Sequence, residues 1–184
     1  NISYRILNPT KIFNTFKISL ESNLEIQNTT GKFQNDYIKT IVGASSLNNT
    51  YYEFSLLYTP QETYDFYEPR VYGRYVYVPK RASSYFGFEW NRNHAFTIDA
   101  TVSFTKYDEE NRQNHEIYIN PKYRFNNQFS LEYALDYTNK KNDRGYVGYD
   151  SNGIVFAERN REILSNVLTG KFALTNKMAL NLDA

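Results

Sequence analysis

Cysteine is absent from the 184 residues of this sequence, which excludes a disulfide scaffold, a thiolate nucleophile and a cysteine-ligated zinc site. Long apolar runs are absent as well. Because a membrane-spanning helix needs roughly 20 mostly apolar residues, a helical membrane protein is excluded. No charge of one sign is in excess, since 21 Lys and Arg stand against 20 Asp and Glu. Nucleic-acid-binding proteins usually carry a basic surface, so we expect no nucleic-acid partner.

Aromatic residues and a two-residue alternation are what the sequence has in abundance. Tyr, Phe and Trp make up 17% of the chain. Apolar and polar residues alternate over 12–27, 94–107 and 129–139, which is typical of strands with one apolar and one polar face. Strands of soluble proteins average about 5 to 6 residues, whereas a strand that crosses a bilayer has about 9 to 11. These segments therefore predict membrane-crossing strands.

Short turns of three polar or turn-forming residues recur along the chain. They lie at 9–11, 47–49, 91–93, 126–128 and 175–177. Their Asn residues suit the left-handed backbone position that such turns require. The connections at the opposite strand ends are longer, at 28–32, 59–83, 108–113 and 140–161. Two of these connections are long enough to contain hairpins of their own, for example over 71–78 or 146–156. Short turns on one side and long connections on the other are typical of an outer-membrane barrel.

The sequence thus predicts an all-β fold, an antiparallel up-and-down transmembrane β-barrel. About ten strands are predicted, at 2–7, 12–27, 33–46, 50–58, 84–92, 94–107, 114–125, 129–140, 163–174 and 178–184. Because the first and last of them are short and a barrel in lipid must close, we expect an incomplete segment of a larger barrel. Residues 1–184 are predicted to be part of one outer-membrane barrel domain, with no second domain. The segment 158–168 also admits an amphipathic helix, and we favour the strand.

The alternation assigns the side chains to two faces. If lipid covers the apolar face, the polar face lines the lumen, where charge tunes selectivity. The residues predicted to line the lumen are Lys17, Glu21, Glu25, Glu53, Glu89, Asp99, Glu116, Lys122, Arg124, Glu132, Asp136 and Lys171. The acidic majority predicts a hydrated pore with a weak preference for cations. The alternative is a network of ion pairs that fills the interior and conducts nothing.

Aromatic side chains on the apolar face suit the boundary between lipid and water, because a ring with a polar tip fits the headgroup level. The residues predicted as lipid-interface aromatics are Phe88, Trp90, Tyr123, Phe125, Phe129, Tyr133, Tyr137 and Phe172. Stacking across neighbouring strands of a soluble sheet is the alternative interpretation.

Candidates for chemistry are few. His94 and His115 lie near a turn and at a strand start, and neither belongs to a recognised catalytic motif. The acidic run at 108–110 is interpreted as a solvated loop rather than a calcium site. No catalytic residue, metal site or cofactor is predicted.

Three segments carry a resemblance to a known family. Residues 67–74 read Tyr-Glu-Pro-Arg-Val-Tyr-Gly-Arg, residues 87–96 read Gly-Phe-Glu-Trp-Asn-Arg-Asn-His-Ala-Phe, and residues 154–168 contain an Arg-rich and then apolar run. Over roughly 12–184 the chain resembles the barrel domain of the DUF5916 proteins. The resemblance implies a large outer-membrane protein of the Bacteroidota type, in which the barrel follows a carbohydrate-binding family 9-like β-sandwich. It implies no established reaction.

The function predicted from these observations is that of a non-enzymatic, porin-like barrel segment in a Gram-negative outer membrane, acting as a channel or as a membrane anchor. The partners expected by class are outer-membrane lipid, lipopolysaccharide, the barrel-insertion machinery and a larger membrane complex. One alternative is a soluble, secreted all-β adhesion or carbohydrate-binding domain, whose apolar faces would pack together. Another is a barrel-embedded hydrolase, which would need His, Ser or Asp side chains to converge.

Overall fold

The computed structural model of the chain describes residues 1–151, 153–175 and 178–184. This part of the chain is all-β, and it contains no helix that is long and apolar enough to cross a membrane. The strands are β1 (Ile2–Ile6), β2 (Phe13–Ile26), β3 (Phe33–Ser46), β4 (Tyr51–Thr59), β5 (Thr63–Asp65), β6 (Val76–Val78), β7 (Arg81–Glu89), β8 (Phe96–Tyr107), β9 (Gln113–Arg124), β10 (Phe129–Asp150), β11 (Gly153–Thr175) and β12 (Met178–Asp183).

Ten of these strands form one antiparallel sheet, in the order β1-β2-β3-β4-β7-β8-β9-β10-β11-β12. Consecutive strands of the sheet are neighbours, so its topology is up-and-down. β5 and β6 pair with each other in a separate two-stranded sheet, and β1 and β12 are the edges of the large one. The prediction of an all-β, antiparallel, up-and-down fold of about ten strands is confirmed.

The strand register divides the side chains into two faces. Partners across an antiparallel pair point to the same side of the sheet. One continuous row of such partners is Ile18, Val42, Phe54, Phe86, Val102 and Ile117. The adjacent row on the other side is Lys17, Gly43, Glu53, Gly87, Thr101 and Tyr118. We call these sides the apolar face and the polar face.

Burial on the two faces is the reverse of that in a water-soluble domain. No hydrophobic side chain is buried in the described part of the chain. The buried residues on the polar face are small, such as Ser19 and Ser55, whereas Leu56 on the apolar face is 51% exposed. Since large apolar side chains normally fill the core of a soluble protein, this sheet lacks such a core on its apolar side.

The short turns lie at one end of the sheet, which we call the turn end. In the β3–β4 turn, Asn49 adopts the predicted left-handed conformation, with a φ of 59°. The β9–β10 turn is built differently: Asn126 Oδ1 accepts hydrogen bonds from the backbone N–H groups of Gln128 and Phe129, both at 2.8 Å. Such an Asx turn needs no positive φ. Asn176 and Lys177 of the predicted turn at 175–177 lie outside the described residues.

The opposite end, which we call the connection end, differs from the sequence-based prediction in two places. The predicted connection at 140–161 is wrong, because β10 continues to Asp150 and β11 begins at Gly153. The predicted hairpin at 146–156 is present as the tip of these two strands, and Asn152 at its centre lies outside the described residues. The predicted hairpin at 71–78 is also wrong, since β6 pairs with β5 instead.

A β-bulge separates the sheet from the tip of the β10–β11 hairpin. The register shifts between Lys140 and Asp143, and Asn142 there has a φ of 52°. Bulges bend the strand that contains them. Beyond this one, β10 and β11 pair only with each other. The sequence predicted the hairpin at 146–156 but not that its strands continue β10 and β11.

Candidate functional site

All twelve charged residues predicted to line a lumen lie on the polar face. The register shows it strand by strand: Glu21 pairs with Lys39, Glu89 with Asp99, and Lys122 with Glu132. The remaining members follow the same parity along their strands. The face is therefore one continuous charged surface, and its role as the wall of a lumen stays a prediction.

Tyrosine rings cover two glycines in the middle of this face. Glu53 lies between Gly43 and Gly87 in one cross-strand row. A Cβ atom at Gly43 would lie 2.5 Å from the hydroxyl of Tyr51, and one at Gly87 would lie 2.8 Å from the hydroxyl of Tyr85. Only glycine leaves room for these rings to lie flat. The Tyr51 hydroxyl donates a hydrogen bond of 2.9 Å to Glu53 Oε2, so the carboxylate is held between the rings.

At the turn end, basic side chains gather around Glu132. Lys171 Nζ donates a hydrogen bond to Glu132 Oε2 at 3.2 Å, and Asn120 Nδ2 donates one to Oε1 at 3.3 Å. Lys122 Nζ lies 3.8 Å from the same carboxylate. The Glu132 carboxylate is thus shared by two ammonium groups.

The neighbouring cation of the turn end, Arg92, is fully engaged. Its guanidinium lies 3.1 Å from Glu89 Oε2 and 3.4 Å from Asp99 Oδ2. These two carboxylates belong to adjacent strands, so Arg92 offsets their mutual repulsion. The basic and acidic side chains at the turn end of the polar face are therefore paired with one another, and the sequence alone did not reveal these pairs.

At the connection end, residues 60–80 run back across the polar face; we call them the 60–80 connection. Thr59, which is on the polar face at the end of β4, is 0% exposed. Pro69 and Pro79 are among the most completely buried residues of the described chain. β5 contacts β3 on one side, and Glu68 contacts Tyr146 of β10 on the other. Since β4, β7, β8 and β9 lie between β3 and β10, the connection spans most of this end.

On the β3 side, the 60–80 connection is attached by polar and aromatic contacts. Gln61 Nε2 donates a hydrogen bond of 2.8 Å to Asp36 Oδ2. Lys32 Nζ lies 4.1 Å from the ring centroids of both Tyr64 and Tyr75, within the range of a cation–π contact. A hydrogen bond with the Tyr75 side chain raises the pKa of Lys32 above its ordinary value, which keeps the cation charged between the rings.

On the β10 side, the tip of the β10–β11 hairpin holds the connection. The backbone N–H of Tyr146 donates a hydrogen bond of 2.9 Å to Glu68 Oε1. The guanidinium of Arg70 lies 4.9 Å from the centroid of the Tyr146 ring. Asp65 Oδ1 accepts hydrogen bonds from the backbone N–H groups of Tyr67 and Glu68, which fixes the turn that presents Glu68.

An ion-pair network joins the hairpin to the β8–β9 connection. Glu109 lies 2.9 Å from Arg112 and 2.8 Å from Arg144. The Glu109 and Arg112 side chains are only 16% and 11% exposed, so their charges are weakly screened by water. Arg144 also lies 3.4 Å from Glu158. The β8–β9 connection and the hairpin are thereby linked.

Tyr77 lies where the 60–80 connection approaches this network. Burial raises the pKa of Tyr77 above its ordinary value, and the negative charges of Glu62, Glu109 and Asp108 raise it further. The phenol therefore stays neutral at physiological pH.

The predicted interface aromatics lie on the apolar face, and most are in mutual contact at the turn end. Phe88 and Trp90 have ring centroids 6.0 Å apart. A second chain of contacts runs across β9, β10 and β11: Tyr123–Phe125 at 4.7 Å, Phe125–Phe129 at 5.0 Å and Phe129–Phe172 at 6.3 Å. Tyr133 lies further along the strand on the same face. Tyr137 lies beyond it, with its hydroxyl 2.7 Å from Glu162 Oε1. Whether these rings meet lipid stays a prediction.

Sequence analysis missed two features of the apolar face and the connection end. On the apolar face, Lys106, Gln113 and Lys141 form one cross-strand row over β8, β9 and β10. The apolar surface therefore ends at the same height on all three strands. This alignment depends on register, which no single segment shows. For the 60–80 connection a hairpin at 71–78 was predicted but no packing across the polar face, although its high content of Tyr and Phe is a signal of packing.

The described residues bring no catalytic constellation together. The ring of His115 packs against Phe104 at a centroid distance of 4.7 Å, and His94 lines the turn end of the polar face. No group of three or more His, Asp or Glu side chains in the described part of the chain is placed to hold a metal ion.

Comparisons with known proteins agree with the resemblance found in the sequence. The model of a family described as "Domain of unknown function (DUF5916)" matches residues 1–184. Neither a curated protein nor a solved structure matches the chain. Since the family match extends over its whole length, this chain belongs to the DUF5916 family.

Proposed function

We propose that this chain is part of the wall of a β-barrel in a bacterial outer membrane, with lipid against the apolar face and a hydrated lumen against the polar face. The barrel is non-enzymatic and acts as a channel or as a membrane anchor. The observation that carries this proposal is the extended, exposed apolar face of the sheet.

The exposed apolar face is hard to reconcile with a soluble domain. Phe54, Leu56 and Val102 are each about half exposed, and contiguous exposed apolar surface of this kind marks contact with a membrane or a partner. A sandwich would need a second layer against this face. In the described residues, the elements outside the ten-stranded sheet are β5 and β6, and their contacts are with β3 and each other.

The height of the apolar surface fits a bilayer. On β8 the apolar side chains run from Phe96 to Phe104, and the row that follows them holds Lys106, Gln113 and Lys141. Nine residues are the length that a tilted strand needs to cross the hydrocarbon. The aromatic contacts at the turn end correspond to one aromatic girdle of a transmembrane barrel, and the lysines at the connection end suit a membrane interface because their charged ends reach water.

The edges of the sheet support a larger barrel. Unpaired backbone groups are costly in lipid, and β1 and β12 each have one unpaired side in the described structure. We propose that further strands continue the sheet at these edges. In the intact protein, the resemblance to Bacteroidota proteins suggests a carbohydrate-binding family 9-like sandwich attached to the barrel.

The 60–80 connection favours the anchor as a second candidate. It covers the polar face at the connection end, and this narrows any passage along that face. An anchor needs no open lumen, whereas a channel would have to pass beside the connection. The partners that follow by class are outer-membrane lipid, lipopolysaccharide and the barrel-insertion machinery.

The proposal is tested with two neighbouring single-cysteine variants, since the chain has no cysteine of its own. Val102→Cys places a label on the apolar face and Ser103→Cys places one on the polar face. In vesicles that contain nitroxide lipids, the fluorescence of the label at 102 should be quenched and that at 103 should not. Equal quenching at both positions, or a monodisperse chain in water without detergent, would contradict the proposal.

A further inference from the structure

The turn end of the polar face contains a cavity of about 310 Å³. Its charged lining comprises four cations and two carboxylates: Arg92, Lys122, Arg124, Lys171, Asp99 and Glu132. This is the opposite of the acidic majority on the polar face as a whole. The cavity is therefore a local basic site within an acidic surface, and we call it the basic cavity.

Two cations of the basic cavity are not neutralised by the protein. Lys171 is hydrogen-bonded to Glu132 at 3.2 Å, while Lys122 is only within 3.8 Å of the same carboxylate. Asn120 occupies the other oxygen of Glu132, so this carboxylate has little capacity left for Lys122. Arg124 makes no side-chain hydrogen bond and no ion pair in the described part of the chain. One ammonium and one guanidinium are thus available.

The acidic side of the cavity is partly neutralised. Asp99 and its neighbour Glu89 share Arg92, which offsets part of their repulsion toward an incoming anion, while Asp99 Oδ1 is buried without a hydrogen-bond partner in the described part of the chain. The register places Arg124 and Lys171 in one cross-strand row, because Arg124 pairs with Ser130, and Ser130 pairs with Lys171. Lys122 and Arg124 are two residues apart on β9 and so point to the same side of the strand.

We propose that the basic cavity binds an oxyanion, the phosphate or carboxylate group of a small solute. A guanidinium presents a planar set of donors that matches both groups, and an ammonium adds a compact charge. The proposal rests on the proposed function in treating the polar face as the wall of a lumen. It revises the weak cation preference expected from the charge count, since anions are retained at the turn end.

The test is equilibrium binding of inorganic pyrophosphate and of citrate to the folded chain, measured by isothermal titration calorimetry at low salt. The two probes distinguish phosphate from carboxylate recognition. Arg124→Gln and Lys122→Gln should each weaken binding about tenfold, as expected for the loss of a charge-assisted hydrogen bond. Lys140→Gln is the matched control, because Lys140 lies on the same face of β10 as Glu132 but at the connection end.

Glu132→Gln provides a test of opposite sign. Removing this carboxylate frees Lys171 and Lys122, so anion binding should strengthen by about threefold, as for an exposed charge pair. A merely structural role for Glu132 would weaken binding instead, and that result would overturn the proposal. Binding of neither probe by the unmodified chain, or binding by the Arg124→Gln and Lys122→Gln variants as tight as that of the unmodified chain, would do the same.

Failure of the anion-binding proposal can be distinguished from failure of the proposed barrel function. Heat-modifiable migration on gels verifies that each variant is folded, and calorimetry is possible in detergent or in water. A chain that is monodisperse in water and still binds pyrophosphate through Arg124 would contradict the barrel and support the site. A chain that behaves as a barrel but binds neither anion would contradict the site alone.

Discussion

The two ends of the sheet are stabilised by different kinds of contact, local at one end and long-range at the other. At the turn end, neighbouring strands are joined by short turns whose backbone groups are satisfied locally, as by Asn126 Oδ1 in the β9–β10 turn. At the connection end, residues distant in sequence are in contact: Glu68 accepts a hydrogen bond from the backbone N–H of Tyr146, which is 78 residues away. The turn end leaves the polar face open, and the connection end covers it.

Local interactions stabilise the end at which the polar face is open, and long-range interactions stabilise the end at which it is covered. A turn whose backbone N–H groups are satisfied by its own side chain stabilises only the two strands that it joins. Its loss therefore has a local effect. A connection fixed by ion pairs between several segments is cooperative, because each contact depends on the placement of the others. We therefore expect substitutions at the connection end to have larger effects than those at the turn end.

The largest effect is expected for Glu109→Gln. The substitution removes the charge shared by Arg112 and Arg144 and leaves the largely buried Arg112 without its partner, at a cost of about 2–3 kcal/mol in local stability. Hydrogen–deuterium exchange of the backbone at 107–112 measures this cost. Glu110→Gln is the control, since the exposed Glu110 carboxylate makes no ion pair in the described residues. Equal exchange in the two variants would contradict the expectation.

A smaller effect is expected for Glu68→Ala. The Tyr146 amide loses its acceptor, so its exchange should accelerate by about tenfold, as for a hydrogen bond to a charged group. Protease cleavage within the 60–80 connection should become faster as well. Glu68→Gln retains an acceptor oxygen and should lie between the alanine variant and the unmodified chain. Unchanged exchange at Tyr146 would show that the hairpin does not hold the connection.

The smallest effects are expected in the short turns, where the difference between glycine and alanine substitutions distinguishes the Asn126 turn from the Asn49 turn. Asn126→Ala and Asn126→Gly should both cost about 1 kcal/mol, because either removes the acceptor of two hydrogen bonds. At Asn49, which has a φ of 59°, glycine should cost less than alanine, because it adopts this conformation freely. Urea unfolding of the refolded chain measures all four variants. Similar costs for glycine and alanine at Asn49 would contradict the role of its backbone conformation.

Much of the fold follows from local patterns. β8 and the first half of β10 alternate residue by residue, so their span and their two faces were predictable from segments such as 94–107 and 129–139. The second half of β10 was predicted only in part, as the hairpin at 146–156, because the bulge at Asn142 interrupts the alternation and the strand pairs only with β11 beyond it. For the candidate sites, the face of each charged residue was predictable, and its partners were not.

The sequence by itself determined most strands of the large sheet, its short turns and the division of side chains between two faces, because the period of two is a property of each strand alone. Only the tertiary structure decided which charges meet. The register of β9, β10 and β11 brings Lys122 and Lys171 to Glu132. The 60–80 connection crosses the polar face and is fixed there by contacts with β3 and β10. Such contacts depend on register and on chain reversal between distant segments, which no local pattern encodes.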